Sequence, residues 1–261
     1  MNLFSVIRVE LVKLRHKRTT LLLLLLFAPA VLFGAGMSLG LSFFVSDGTE
    51  GGVDAVERAM SGLGFAVNMM EQSEFILFLV VIILAALSLA GELENGQLKS
   101  ELIRVCGRGK VMLAKFIALL LYVYGALLLC MLWSLLIYAL LLGGTDFANG
   151  LLFDEMAAAQ GGYILFSLLG IAVVTAFTLL LGTRVKYFPC FAVSYILWFA
   201  SLYTDFMGEL KYFIPYNMPG YVLETVGGFP QYAPYALLYI GYVILILALS
   251  CVLLRKRDIK A

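Results

Sequence analysis

One polar segment, residues 91–115, lies between two long apolar runs. It contains three carboxylates (Glu92, Glu94 and Glu101) and five cations (Lys99, Arg104, Arg108, Lys110 and Lys115). Leu98, Leu102 and Val105 recur at helical spacing, and Glu101 lies one turn before Arg104, where an ion pair can form. The pattern predicts a short amphipathic helix on the membrane surface. The alternative is an ordinary charged connecting loop.

Other chemistry is poorly supported by the sequence. The single histidine, His16, lies in a basic segment, and the four cysteines fit neither a zinc site nor a disulfide framework. Gly109-Lys110 does not form a phosphate-binding loop, because Arg104 stands where the first glycine is needed and Val111 replaces Ser/Thr. We therefore expect no catalytic residue, no cofactor and no metal, and any energised work must draw on another polypeptide.

Composition determines the class of protein. The chain has 261 residues, of which 62% are hydrophobic and 13% charged. Its mean hydropathy is +0.99. Soluble domains are about 45–50% apolar and about 25% charged. An all-α integral membrane protein is predicted, with residues 1–261 forming a single transmembrane domain.

Six transmembrane helices are expected, and a basic amphipathic helix in residues 1–19 precedes them. The predicted spans are residues 20–44, 75–90, 112–142, 161–182, 188–207 and 235–254. The start of the second span could lie a few residues before 75. A cleaved signal peptide is the alternative for the N-terminus, but the apolar run exceeds the length of a signal core. Residues 208–234, which contain four prolines, predict short re-entrant or outer-face helices before the last span.

The distribution of basic residues predicts the orientation. Lys and Arg number five before the first span, five in residues 91–115, two in the turn 183–186 and four after the last span. The opposite side has only Arg58 and Lys211. The positive-inside rule therefore places both termini in the cytoplasm. We expect a multi-pass membrane protein.

The layout resembles the permease subunits of ABC type-2 exporters. In that family, the segment after the second span contains Glu, Gly and Leu, then an Arg and a Lys that enter the third span. This chain has Glu92 or Glu94, then Gly96, Leu98, Arg108 and Lys115, in that order. The proline that often precedes the arginine is absent. The resemblance covers the whole chain by layout, but only about 25 residues by motif.

The resemblance implies a coupling helix that docks on a cytoplasmic ABC ATPase. Leu98, Leu102 and Val105 would insert into a cleft of the ATPase, with Glu94, Lys99, Glu101 and Arg104 around them. Glu92 and Gly96 complete the motif, and Arg108 and Lys115 would anchor the helix to lipid phosphate or to adjoining carbonyls. For each cation, simple control of topology is an equally good explanation. Arg8, Lys13 and Arg15 suggest lipid binding for the first helix, or a second contact surface.

A second permease, either an identical copy or a related subunit, would complete the exporter. The cargo path would then lie between the two, and Tyr195, Trp198 and Tyr203 are candidates to line it, although interfacial anchoring explains such aromatics as well. Spans almost free of charge suit a hydrophobic or amphipathic cargo such as a lipid-like molecule, a drug or a peptide. The main alternative is a non-transporting membrane scaffold that docks a cytoplasmic partner. An intramembrane enzyme would need a polar cluster that these spans lack.

Overall fold

The computed structural model describes residues 2–39, 60–98, 101–102, 107–145, 147–204, 208, 211–215, 217–224 and 229–256. These residues form helices and no strand, with a single isolated bridge between Met60 and Ala148. The predicted all-helical class is confirmed. The apolar character of the helices agrees with a multi-pass membrane protein.

The helices follow one another in this order. They are α1 (Leu3–His16), a 3-10 helix (Arg18–Phe27), α2 (Ala28–Ser38), α3 (Gly62–Ala86), α4 (Arg108–Ile137), α5 (Ala157–Gly182), α6 (Tyr187–Ser201), α7 (Met218–Glu224) and α8 (Phe229–Lys256). Helix α3 continues through a π-helical segment, Leu87–Gly91, into Glu92–Glu94. Helix α4 likewise ends in a π-helical segment, Tyr138–Leu142.

Five of the described helical stretches are long and apolar enough to cross a bilayer. They are Arg18–Ser38, Gly62–Glu94, Arg108–Leu142, Ala157–Gly182 and Tyr232–Lys256. The stretch containing α3 is the most buried of the five, and α3 packs against α4, α5 and α6. It is therefore the central helix of the bundle.

The second predicted span begins too late in the sequence. Helix α3 starts at Gly62 rather than near residue 75, and the hydroxyl of Ser61 caps it by accepting from the Gly64 N–H at 3.1 Å. Glu71 and Glu74 belong to this helix and not to a loop. The polar residues of this region suggested a loop. In the structure, however, each helical turn that carries one of them also carries buried apolar residues, such as Phe65 and Met69. Packing on that apolar side extends the helix.

The first span also differs from the regular α-helix that was expected. Its first ten residues form a 3-10 helix, in which the buried residues are Thr20, Leu23 and Leu26. Their spacing of three matches the three residues per turn of a 3-10 helix. The carbonyl of Leu26, where this helix gives way to α2, accepts from Ser73 Oγ at 3.4 Å and from Cys130 Sγ at 3.1 Å. The last part of the predicted span, from residue 40 on, lies outside the described residues.

The predicted fifth span, residues 188–207, is shorter in the structure. Helix α6 comprises the 15 residues Tyr187–Ser201. At its start, the Tyr187 N–H donates to Glu94 Oε1 at 2.7 Å. Toward its end, the ring of Trp198 stacks on Phe78, with 5.3 Å between centroids. In the region predicted to form short outer helices, the described residues include α7, a 3-10 turn at residues 211–213 and the start of α8.

The first helix and the end of the last helix both contact the start of α4, at one end of the bundle. Arg108 Nη1, at the start of α4, donates to the carbonyls of Leu254 (3.1 Å) and Arg255 (2.7 Å) at the end of α8. Lys115, two turns into α4, contacts Glu10 of α1. We call this the charged end. At the opposite end, the Met60 N–H donates to the Phe147 carbonyl at 2.8 Å.

Close packing of the first span at that opposite end yields a prediction. A Cβ added at Gly34 would lie 2.5 Å from Cγ2 of Ile137, a branched side chain with little freedom to move. Gly34→Ala should therefore destabilise the detergent-solubilised protein by about 1–3 kcal/mol through overpacking. Gly125→Ala in α4 is the matched control, because a Cβ there meets nothing within 4 Å. Thermal unfolding should show a lower midpoint for Gly34→Ala alone, and equal midpoints would contradict the packing.

Candidate functional site: a buried charge cluster

Lys115 lies with its ammonium group inside the protein. Its exposed fraction is 0%, and its neighbours Val111, Met112 and Ala114 on α4 are also buried. Because an isolated buried ammonium costs several kcal/mol, such a group requires anionic partners. Three carboxylates supply them.

The three carboxylates come from separate parts of the chain. Lys115 Nζ lies 3.0 Å from Glu10 Oε2 on α1, 3.4 Å from Glu101 Oε2, and in hydrogen-bond contact with Glu92 Oε2. Glu10 and Glu92 each expose only 3% of their surface. One ammonium therefore joins α1, the end of the α3 stretch and the segment at residue 101 to α4.

Two further lysines complete the arrangement. Lys13 Nζ lies 2.9 Å from Glu10 Oε1 and 3.7 Å from Glu92 Oε2, and it also contacts Glu101 Oε1. Lys17 Nζ lies 3.5 Å from Glu92 Oε1. The charge cluster, as we name it, consists of Glu10, Lys13, Lys17, Glu92, Glu101 and Lys115. Its three acids and three bases balance, which is the condition for burying so many charges together.

Local structure positions these side chains. Val6, Glu10 and Leu14 recur every four residues and form the buried face of α1, so Glu10 points into the bundle. Glu92 directly follows the π-helical segment, whose wider turn changes the direction of the residues after it. Sequence reasoning missed Glu10. The signal that could have found it is an acid within the apolar stripe of α1, one turn before Lys13.

Burial and neighbouring charges have opposing effects on the pKa of Glu10. Burial alone would raise the pKa of this carboxyl, but the ammonium groups of Lys115 and Lys13 outweigh burial and hold the pKa below its ordinary value. At Lys17, burial lowers the pKa of the ammonium, and the nearby Glu92 carboxylate opposes that change only in part. Glu10 is therefore held in its charged form.

The carboxylates also have the spacing of a cation site. One oxygen each from Glu10, Glu92 and Glu101 lie within 4.8 Å of one another. Hard cations prefer such oxygen ligands. However, each carboxylate already contacts Lys115, and three lysines balance the three negative charges. A metal ion would have to displace an ammonium, so this donor set fits an internal ion-pair network better than a metal centre.

The predicted anchoring role of Lys115 is wrong. Its ammonium cannot reach lipid phosphate, because it is fully buried among carboxylates. Arg108 follows the other predicted alternative, since it donates to adjoining carbonyls at the end of α8. Lys13, expected on the lipid-facing side of α1, instead joins the charge cluster. Arg8 and Arg15 of the same helix are exposed.

The predicted coupling residues divide into buried and exposed groups. Leu98 is fully buried in the protein's own apolar core and Leu102 packs against that core. In this conformation Leu98 is not exposed to a partner, and its contact with an ATPase stays a prediction. Glu94 and Gly96 are exposed, and Gly96 has φ 69°, which favours glycine. Lys99, Arg104 and Val105 lie outside the described residues.

The aromatic residues predicted to line a path form a row along α6. Tyr195 and Trp198 have ring centroids 5.6 Å apart, and Phe199 links to Tyr203 at 5.4 Å. Trp198 is buried, with 4% of its surface exposed, and it contributes to the wall of a cavity, whereas Tyr203 is 65% exposed. Their role in a path stays a prediction.

Comparison with known proteins identifies the family. Its description is "Protein of unknown function (DUF2705)", and its profile matches residues 49–260. The chain belongs to this family. The matched region contains Glu92, Glu101 and Lys115 but not α1. No curated protein matches the sequence.

The charge cluster predicts a large effect of removing its central ammonium. Lys115→Met leaves Glu10, Glu92 and Glu101 with less compensating charge, so we expect a loss of about 3–5 kcal/mol in the free energy of unfolding. Unfolding of the purified protein by increasing mole fractions of dodecyl sulfate measures the change. Lys110→Met is the matched control, because Lys110 is an exposed lysine on the same helix. A Lys115→Met protein as stable as the control would disprove the network.

The lowered pKa of Glu10 predicts an acid-dependent loss of stability. The folded-state pKa lies below the ordinary 4.5, so the contribution of Glu10 is present above pH 4.5 and is lost as the pH falls through the folded-state value. The difference in thermal midpoint between the wild type and Glu10→Gln should be constant near neutral pH. It should narrow as the pH falls below 4.5 toward the lowered folded-state pKa. A difference independent of pH would show that Glu10 acts by shape alone. Glu155→Gln, at an exposed acid, is the control.

Proposed function

We propose that this chain is the membrane-spanning permease subunit of an ATP-binding-cassette exporter. It would work in the bacterial cell membrane as a homodimer or with a related permease, together with cytoplasmic ABC ATPase subunits. The cargo would be a hydrophobic or amphipathic molecule. The chain has no catalytic residues of its own in this proposal, because ATP is hydrolysed on the partner.

The charge cluster is the observation that carries the proposal. A permease that lacks a nucleotide site must receive displacement through its surface, so the surface segment has to be firmly joined to the membrane helices. Here Glu92 and Glu101 flank the exposed turn at residues 94–97, and both contact Lys115 and Lys13. A force applied to this turn would therefore act on α1, α3 and α4 together.

Six crossings are proposed, and this count includes α6, whose 15 residues would extend over about 22 Å at 1.5 Å per residue. It begins beside Glu94, and Leu202, just after its end, lines a cavity together with Glu74. Glu74 and Glu94 are twenty residues apart along the α3 stretch, or about 30 Å at 1.5 Å per residue. That is about the thickness of the hydrocarbon core. An even number of crossings also agrees with α1 and the end of α8 lying at the same end of the bundle.

The orientation rests on the distribution of basic residues. The charged end carries twelve of the eighteen Lys and Arg: five in residues 8–18, three in residues 108–115, two in the turn 183–186 and two at the end of α8. By the positive-inside rule this end faces the cytoplasm, with both termini. The ATPase would then approach the exposed turn at residues 94–97 from the cytoplasmic side.

We propose that the ATPase contacts the exposed turn at residues 94–97 rather than the buried Leu98. Glu94, Asn95 and Gly96 are exposed and follow the charge cluster directly. They lie on a short, rigidly supported projection, with Leu98 packed beneath it in the core. Lys110 is a further exposed cation near this end. Charged and polar groups of this kind are typical of the rim of a protein–protein contact.

Photo-cross-linking tests the contact. The full chain with a benzophenone amino acid at Asn95 should cross-link in native membranes to an ABC ATPase, identified by mass spectrometry. The same group at Asn149, an exposed asparagine at the opposite end, should not. The rate of ATP hydrolysis by the purified ATPase should also rise several-fold when the chain is present. The reason is that binding of the two subunits is coupled to the conformation of the ATPase.

Two outcomes would contradict the proposal. Cross-linking of the ATPase from Asn149 but not Asn95 would reverse the proposed orientation and remove the contact. Recovery of a partner without ATPase activity at Asn95 would favour the scaffold function instead.

A further inference from the structure

Two cavities have neighbouring walls, and the polar one lies toward the end of the bundle opposite the charge cluster. The first, of about 210 Å³, has a polar wall that includes Glu71, Glu74, Tyr163, Lys211, Tyr212 and Tyr221. The second, of about 190 Å³, has an apolar wall that includes Phe78, Val174, Phe177, Leu197, Trp198 and Ile246. Together they form a site with a polar half and an apolar half.

The two cavities are neighbours because residues close together in the sequence line both of them. Glu74 in the polar wall and Phe78 in the apolar wall are one turn apart on α3. Likewise, Tyr212 belongs to the polar wall and Ile214, two residues later, to the apolar wall. A single molecule with a polar head and an apolar chain could occupy both halves.

The polar half has the chemistry of a site for an organic cation. Glu71 and Glu74 are one helical turn apart, and Glu74 Oε2 accepts from the Tyr163 hydroxyl at 3.4 Å. The two carboxyl groups outnumber Lys211 in this wall, so a bound cationic head group would favour the ionised form of both. A further cation would reduce the repulsion between them.

Aromatic faces line the same cavity. The rings of Tyr212 and Tyr221 have centroids 4.1 Å apart. Lys211 Nζ lies 5.4 Å from the centroid of Tyr212, so this ring already has an ammonium group near its face. Tyrosine faces beside carboxylates are the usual surroundings of bound alkylammonium groups.

The apolar half contains an independent sign of a missing neighbour. Ser194 lines this cavity and is 2% exposed, and its hydroxyl has no hydrogen-bond partner among the described residues. A buried hydroxyl without a partner costs free energy, so such groups ordinarily find one. Most of the other groups in this wall are apolar, which suits a hydrocarbon chain. A polar atom on that chain, or a water molecule beside it, would give the Ser194 hydroxyl a hydrogen-bond partner.

We propose that this composite site binds a cationic amphiphile, with the ammonium group between Glu71, Glu74 and the tyrosines, and the hydrocarbon chain against Phe78 and Trp198. The identification of this ligand class as exported cargo rests on the proposed function. Binding itself does not require an ATPase.

Tryptophan fluorescence provides the test. The sequence has two tryptophans, and Trp133→Phe leaves Trp198 in the apolar wall as the only reporter. The full chain in phosphatidylcholine nanodiscs is titrated with an alkyl trimethylammonium of twelve carbons that bears bromine, a quencher of tryptophan, at the chain end. We expect saturable quenching. The alkyl sulfate of the same length, also brominated, should quench only in proportion to its partition into lipid.

The carboxylates determine the expected change in affinity. Glu71→Gln together with Glu74→Gln should weaken binding of the cationic probe by at least about tenfold, because the head group loses both opposite charges. Glu155→Gln is the matched control, since it removes an exposed acid outside both cavities and should leave affinity within about twofold. If the double variant does not fold, Glu71→Gln alone serves, because Glu71 is exposed.

Equal quenching by the cationic and anionic probes, or unchanged affinity in the acid variants, would overturn the proposed site. The two proposals fail separately. If the probe binds saturably but no ATPase cross-links to the chain, the binding site is supported and the exporter function is contradicted. If an ATPase cross-links but quenching does not saturate, the exporter function is supported and the binding site is contradicted.

Discussion

The contact between the Lys115 ammonium and carboxylates from three other segments is the constraint on which one end of this protein depends. Glu10 comes from the first helix, Glu92 follows the central helix, and Glu101 belongs to the polar segment between the second and third spans. None of these groups could be buried alone, because an uncompensated charge in an apolar interior is too costly. Their mutual neutralisation is what allows α1 to pack against α4 rather than lie apart on the membrane surface.

Helix α3 relates this end of the molecule to the other. The stretch that it begins carries Glu92 in the charge cluster, and α3 itself carries Glu71 and Glu74 in the polar cavity. About 27 Å of helix separates Glu74 from Glu92 at 1.5 Å per residue. It is also the most buried of the candidate spans. The same rigid, central element therefore contributes acidic groups at both ends, and its intervening residues are nearly all apolar.

The sequence predicted those features that depend on composition and on long apolar runs. The all-helical class and the presence of several apolar helices long enough to cross a membrane follow directly from hydropathy. The start of α3 at Gly62 was not predictable in this way, because Asn68, Glu71 and Glu74 resemble a loop unless the packing of Phe65 and Met69 is known.

Contacts between segments that are distant in the sequence could not be predicted either. The pairing of Glu10 with Lys115 joins residues 105 positions apart, and no local pattern specifies it. The same holds for Leu98, whose helical spacing with Leu102 correctly indicated an apolar face but could not tell whether that face packs inward or against a partner. Charge count alone also could not separate a buried lysine from one that faces lipid.

The 3-10 helix at the start of the first span has a consequence for length. A 3-10 helix rises about 2.0 Å per residue and an α-helix about 1.5 Å, so these ten residues extend about 5 Å further than they would as an α-helix. Both ends of the span are fixed, by Glu10 and Lys17 at one end and by the tight fit of Gly34 against Ile137 at the other. A regular α-helix of the same sequence would be too short to satisfy both attachments. The longer pitch of the 3-10 helix, about 6.0 Å per turn against about 5.4 Å, thus fits the distance between them.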